Sequence, residues 1–119
     1  MTPDELIEAY RQQAIIWGES SESGDWRRGN AAQAALTEIR DALKQSGPES
    51  RRKLLALLDD ENLFVRLHAG VDALALSPED GERVLSEIAQ GPRSMTRFEA
   101  EMSLELWRSG KFEVTWWNT

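Results

Sequence analysis

The side chains that could carry chemistry are few, and most are carboxylates. Glu99, Glu101 and Glu105 crowd one stretch near the C-terminal end, flanked by Arg97 and Arg108. On a helix, Glu101 and Glu105 share a face. Such a pair suits acid–base work or a divalent cation, but no His or third carboxylate is spaced to complete a metal site. A solvated face with helical ion pairs explains the same spacing. Glu101 also stands between Phe98 and Met102, which allows partial burial against Arg66 or Arg97.

His68 is the sole histidine. As a general base it would need a nucleophile and an orienting acid close by. Asp72 lies one helical turn further on, and a hydrogen-bonded or surface imidazole is the expectation. No nucleophile elbow, phosphate-binding loop, dinucleotide fingerprint or His-Glu-x-x-His pattern occurs. The chain has no cysteine, which excludes disulfides, thiol catalysis and thiolate metal sites. No cofactor and no metal is expected.

Two basic clusters, Arg27-Arg28 and Arg51-Arg52-Lys53, fall near predicted helix N-termini, where cations are slightly unfavourable. The chain carries 14 basic against 21 acidic residues, a net charge of −7. That balance argues against nucleic acid and anionic membranes as partners, and for a protein with a basic surface. Five tryptophans are many for 119 residues, and such side chains serve both as core and as binding anchors. Trp17 and Trp107 fall on apolar helical stripes. Trp26, Trp116 and Trp117 are less committed, and any of them left exposed would mark a partner site.

Helices must position these groups. The length fits one domain, residues 1–119, with 40% hydrophobic and 29% charged residues. Six helical segments are predicted. The first opens with Thr2 as cap and Pro3, buries Leu6, Tyr10, Ala14 and Trp17, and ends at Gly18 and the Ser/Glu run of residues 19–24. The second covers residues 25–45 and buries Ala32, Ala35, Leu36, Ile39, Ala42 and Leu43. Ser46-Gly47-Pro48 separates it from a short, leucine-rich third helix over residues 49–58. The fourth, residues 62–76, is apolar on more than one side and should be central. Ser77-Pro78 starts the fifth, which buries Val84, Leu85, Ile88 and Ala89. The sixth begins near Ser94, with Met95, Phe98, Met102 and Leu106 as its apolar stripe, and Gly110 ends it. Residues 111–119 form an extended tail in which Phe112, Val114 and Trp116 alternate with polar residues. The first helix is too charged for a signal peptide, and no segment approaches the roughly 20 apolar residues that span a bilayer. A cytoplasmic protein is expected.

The third and fourth segments resemble a HEAT repeat. Asp59-Asp60-Glu61-Asn62 forms the turn, and Val65-Arg66 opens the second helix, as that repeat's Asp and Val-Arg do. Asp60 and Arg66 are the turn pair, the carboxylate capping the helix, pairing with that guanidinium, or pairing with the Arg of a stacked repeat. From Leu54 to Gly110 the chain is also similar to a family of small bacterial proteins known only as a domain of unknown function with a HEAT-like fold. The matching pieces include Ser77-Pro78-Glu79 and Phe98-Glu99-Ala100-Glu101-Met102 leading to Trp107. The resemblance implies an all-α fold, a short right-handed α-solenoid of the HEAT/armadillo type, and transfers no activity.

A solenoid of three helical hairpins would present a concave face built from the second, fourth and sixth helices. The expected function is therefore a non-catalytic protein–protein interaction module. A small acidic inhibitor or immunity-type protein acting on a basic partner is one concrete form. The expected binding residues are Arg66, Asp72, Glu101, Glu105, Trp107, Trp116 and Trp117. The alternative is a ligand-binding or enzymatic solenoid in which Glu101, Arg66 and His68 share a pocket. Self-association through the tail is a third possibility.

Overall fold

Capping chemistry sets the helix starts. The Thr2 hydroxyl accepts the Glu5 N–H at 3.2 Å while Glu5 takes the Thr2 N–H at 2.8 Å, a reciprocal box with Pro3 just inside. The Asp25 carboxylate accepts the Arg28 N–H, Asn62 Oδ1 accepts from Phe64 and Val65, and Ser94 Oγ accepts from Arg97. Ser77 departs from this pattern: its hydroxyl donates to Asp80 at 2.6 Å.

The computed structural model describes residues 1–112. Among them it holds six α-helices and no strand: α1 (Pro3–Ser23), α2 (Trp26–Gln45), α3 (Pro48–Arg52), α4 (Leu63–Ala73), α5 (Pro78–Ala89) and α6 (Met95–Arg108). A 3-10 segment, Lys53–Asp59, joins α3 to the turn before α4. The tail residues Val114, Trp116 and Trp117 lie outside the described residues. Gly110, at φ 75°, ends the last helix, and the N–H groups of Lys111 and Phe112 both bond to the Leu106 carbonyl. No helix among the described residues is long and apolar enough to cross a membrane.

Three elements differ from the sequence expectation. The first helix does not stop at Gly18 but runs on to Ser23, where Gly24 at φ 80° caps it. The serines of that run stay helical by turning back on the chain: Ser21 Oγ donates to Trp17 O and Ser23 Oγ to Ser20 O. Gly18 is a contact point rather than a breaker, since a Cβ there would lie 2.0 Å from the Phe64 ring. The third helix is one short α turn followed by 3-10 geometry, which lets Leu54, Leu57 and Leu58 all point inward. α4 is shorter than expected, and Leu74, Ala75 and Leu76 form a turn into α5.

The centrality of α4 holds. It touches α1, the 3-10 segment, α5 and α6, and buries Val65, Leu67, Ala69 and Ala73. Tyr10 and Ala14, Leu36 and Leu43, Val84 and Leu85, and Ala100 and Leu104 complete one continuous core around it. α5 crosses α4 at very short range. A Cβ at Gly81 would lie 2.8 Å from the Gly70 carbonyl and 2.9 Å from the Leu74 nitrogen.

Candidate functional site

α6 packs against α5, α4 and α1, and the side chains it buries are small or medium in size. Thr96, Ala100 and Leu104 are buried, and Trp107 is half-buried against the core. Their spacing of four, four and three residues defines the inner face. The stripe expected to be core points the other way. Met95 is 59%, Phe98 55% and Met102 39% exposed, so three of the five large apolar side chains exposed among the described residues sit on this one helix. The reason is steric: Thr96, Ala100 and Leu104 already take the inner face of α6, and a helix cannot turn two opposite faces to one core.

Acids border the exposed stripe. Glu101 and Glu105 are exposed, and Glu101 pairs with Arg97 Nε at 2.8 Å. Arg97 also donates to the Gly91 carbonyl at 3.2 Å. Glu99 is partly covered, and burial raises its carboxyl above the ordinary range. Glu101 edges two shallow clefts. One, of about 230 Å³, is formed with Arg93, Arg97 and Phe98; the other, of about 560 Å³, with Ala89, Leu104, Glu105 and Arg108.

Asp72, expected on the binding surface, is instead 3% exposed. Its Oδ2 accepts the Tyr10 hydroxyl at 2.5 Å and Arg40 Nε at 2.8 Å, tying α1, α2 and α4 together. The Arg40 guanidinium carbon also lies 6.0 Å from the centre of the Tyr10 ring. Burial pushes the Asp72 carboxyl up against the opposing pull of Arg40 and Tyr10. Burial, and then the charge of Asp72, raise the Tyr10 hydroxyl well above its usual value. The cluster is a structural clamp in which a half-buried cation, a buried phenol and a buried carboxylate satisfy one another.

The Glu101–Arg66–His68 pocket does not form. Arg66 donates to the Asp60 and Glu61 carbonyls at 2.7 and 3.2 Å, Glu101 faces Arg97, and His68 is buried. The cleft beside Arg66, lined by Leu63, Glu87, Ile88 and Pro92 among others, includes neither Glu101 nor His68. His68 stands edge-on to Trp17 with ring centres 4.5 Å apart. The imidazole ring is buried rather than at the surface, and its Nε2 is without a hydrogen-bond partner among the described residues. Burial, with the charge of Arg40, lowers it to about 3 and keeps it neutral.

The turn carboxylate does not pair with Arg66. The Asp60 carboxylate takes Arg11 Nε, from α1, at 2.8 Å and the Asn62 N–H at 2.9 Å, while Arg66 reaches the backbone carbonyls of Asp60 and Glu61. Burial works to raise the Asp60 carboxyl, but the Arg11 and Asn62 hydrogen bonds outweigh it and hold it low. No three His, Asp or Glu side chains among the described residues are grouped to hold a metal ion.

Sequence reasoning missed Met95, Phe98 and Met102 as surface residues, and missed Tyr10 and Arg40 as partners of Asp72. The repeat of Thr96, Ala100, Leu104 and Trp107 was the available signal for the inner face of α6. Nothing local marks Arg40, because its partners are 30 and more residues away.

A solved structure shares this arrangement: the crystal structure of the protein RPA1889 from Rhodopseudomonas palustris CGA009. It is 26% identical, with a TM-score of 0.88 over 95% of this chain and 93% of that one. No curated protein matches the chain significantly. A family model described as a domain of unknown function matches residues 4–107, and the chain belongs to that family, DUF2019.

Proposed function

We propose that this protein is a non-catalytic binding module that docks a protein partner on the outer face of α6. The observation that carries the reading is the Met95–Phe98–Met102 stripe. Large apolar side chains at helical spacing, exposed together and rimmed by charge, are the usual form of a helix that enters a partner's groove. Phenylalanine and methionine are enriched at the centres of such interfaces, and the flexible thioether adapts to varied surfaces. Glu101 and Glu105 beside the stripe, and the net charge of −7, favour a partner with a basic surface.

The helices are read as a short HEAT-like right-handed solenoid of three hairpins: α1–α2, the leucine-rich 3-10 segment with α4, and α5–α6. The sequential packing of α1 on α2, α4 on the 3-10 segment, and α5 on α6 supports it. A small acidic inhibitor of a basic protein in the bacterial cytoplasm remains the concrete form of the proposal.

The test is affinity capture from host lysate with the protein and with a Phe98→Glu/Met102→Glu variant. A stoichiometric partner held by the first and lost from the second is expected. A partner bound equally by both would move the docking surface away from α6.

A further inference from the structure

A second site stands at the turn between α1 and α2. A cleft of about 320 Å³ opens there, lined by Trp17, Ser20, Asp25, Trp26, Asn30 and Gln33 with neighbouring backbone. Ser20 is 2% exposed and faces α2 where Gly29 lets the helices approach, with 3.5 Å between the Ser20 Cβ and a Cβ built at Gly29. Ser20 is among the residues lining this cleft, and its buried Oγ has no hydrogen-bond partner among the described residues. A buried hydroxyl left in that state is uncommon and points to a ligand that completes it.

The lining selects the ligand by charge. Asp25 is the sole ionised side chain in it, and no basic residue lines the cleft. An anion is disfavoured, because the Asp25 carboxylate already occupies the N-terminus of α2 and accepts the Arg28 N–H at 3.2 Å. Two indoles and a carboxylate are instead the chemistry of cation recognition. Trp26 already demonstrates it on one side: the Arg27 guanidinium carbon lies 5.3 Å from its ring centre. Trp26 is still 67% exposed. Asn30, Gln33 and Ser20 add oxygen acceptors suited to the fanned N–H donors of a guanidinium.

We propose that this cleft takes the guanidinium of an arginine side chain presented by a polypeptide. Free arginine fits less well, since its carboxylate would meet Asp25 in a lining that holds no basic side chain. The site lies on α1 and α2, so it stands whether or not α6 docks a partner.

Amide chemical shifts of the labelled protein, titrated with N-acetyl-arginine methylamide, test it. Saturating shifts confined to residues around Gly24, Asp25, Trp26 and Gly29 are expected. Binding should weaken about tenfold for the uncharged citrulline analogue and for Asp25→Asn, which keeps the helix cap. Trp26→Ala, at an exposed position, should weaken it as well, and free arginine should bind less tightly than the capped form. Absent or scattered shifts, or equal affinity for the citrulline analogue, would overturn the proposal. So would unchanged binding by Asp25→Asn and Trp26→Ala, or tighter binding of free arginine.

Discussion

The clamp around Asp72 and the outer face of α6 invert the usual placement of side chains. The first puts a carboxylate, a guanidinium and a phenol between helices, with Asp72 and Tyr10 fully covered. The second leaves two methionines and a phenylalanine in water. The charged groups of the clamp are acceptable inside because each finds its counterpart across α1, α2 and α4. Met95, Phe98 and Met102 lie outside the core that Ala100 and Leu104 join, so their presence calls for a use outside it. A polar residue marks a surface only when nothing within the fold can pair with it, and an apolar stripe marks a core only when a neighbour is there to meet it.

Breaking the clamp should give the largest effect. Asp72→Ala leaves the buried Tyr10 hydroxyl and the half-buried Arg40 without their acceptor, and is expected to lower unfolding free energy by about 3–5 kcal/mol. Urea denaturation checks this; a loss below about 1 kcal/mol would show that the three groups are not mutually dependent. Gly81→Ala comes next. Its methyl group would press on the backbone of Gly70 and Leu74, and a loss of about 1–3 kcal/mol is expected by the same measurement.

The third prediction concerns acid. The folded His68 imidazole sits near 3 against an ordinary 6.5, so the unfolded chain takes up the proton first as pH falls. Its contribution is complete above the ordinary value and is lost progressively toward the folded one, about 2 kcal/mol by pH 5. Asp72 works in the opposite direction, because its raised carboxyl holds a proton to higher pH in the folded state. Comparing the stability–pH profile with that of His68→Gln isolates the imidazole. Identical slopes in the two proteins would contradict its burial in neutral form.

Much of the fold was legible because caps and apolar spacing are local. Thr2 with Glu5, Asn62, Gly47-Pro48 and Ser94 mark helix starts within a residue or two, and α4 reads as central from its apolar breadth alone. Gly18 was misread because a glycine inside a helix looks like a stop until the Phe64 ring is seen against it. The site was less legible. Which face of α6 turns inward depends on what α5 presents, and a spacing of three and four is satisfied by the outer stripe as well as by Thr96, Ala100 and Leu104. Asp72 beside a lone histidine looked like surface chemistry. Its partners, Tyr10 and Arg40, are brought to it only by the packing of three helices.

The most direct measurement is the unfolding free energy of the Phe98→Glu/Met102→Glu variant by urea titration. Two charges placed on a solvated face should leave stability within about 0.5 kcal/mol of the parent chain. A loss of about 3 kcal/mol or more, the cost of putting charge into a core, would contradict the outward orientation of α6 and the docking face built on it.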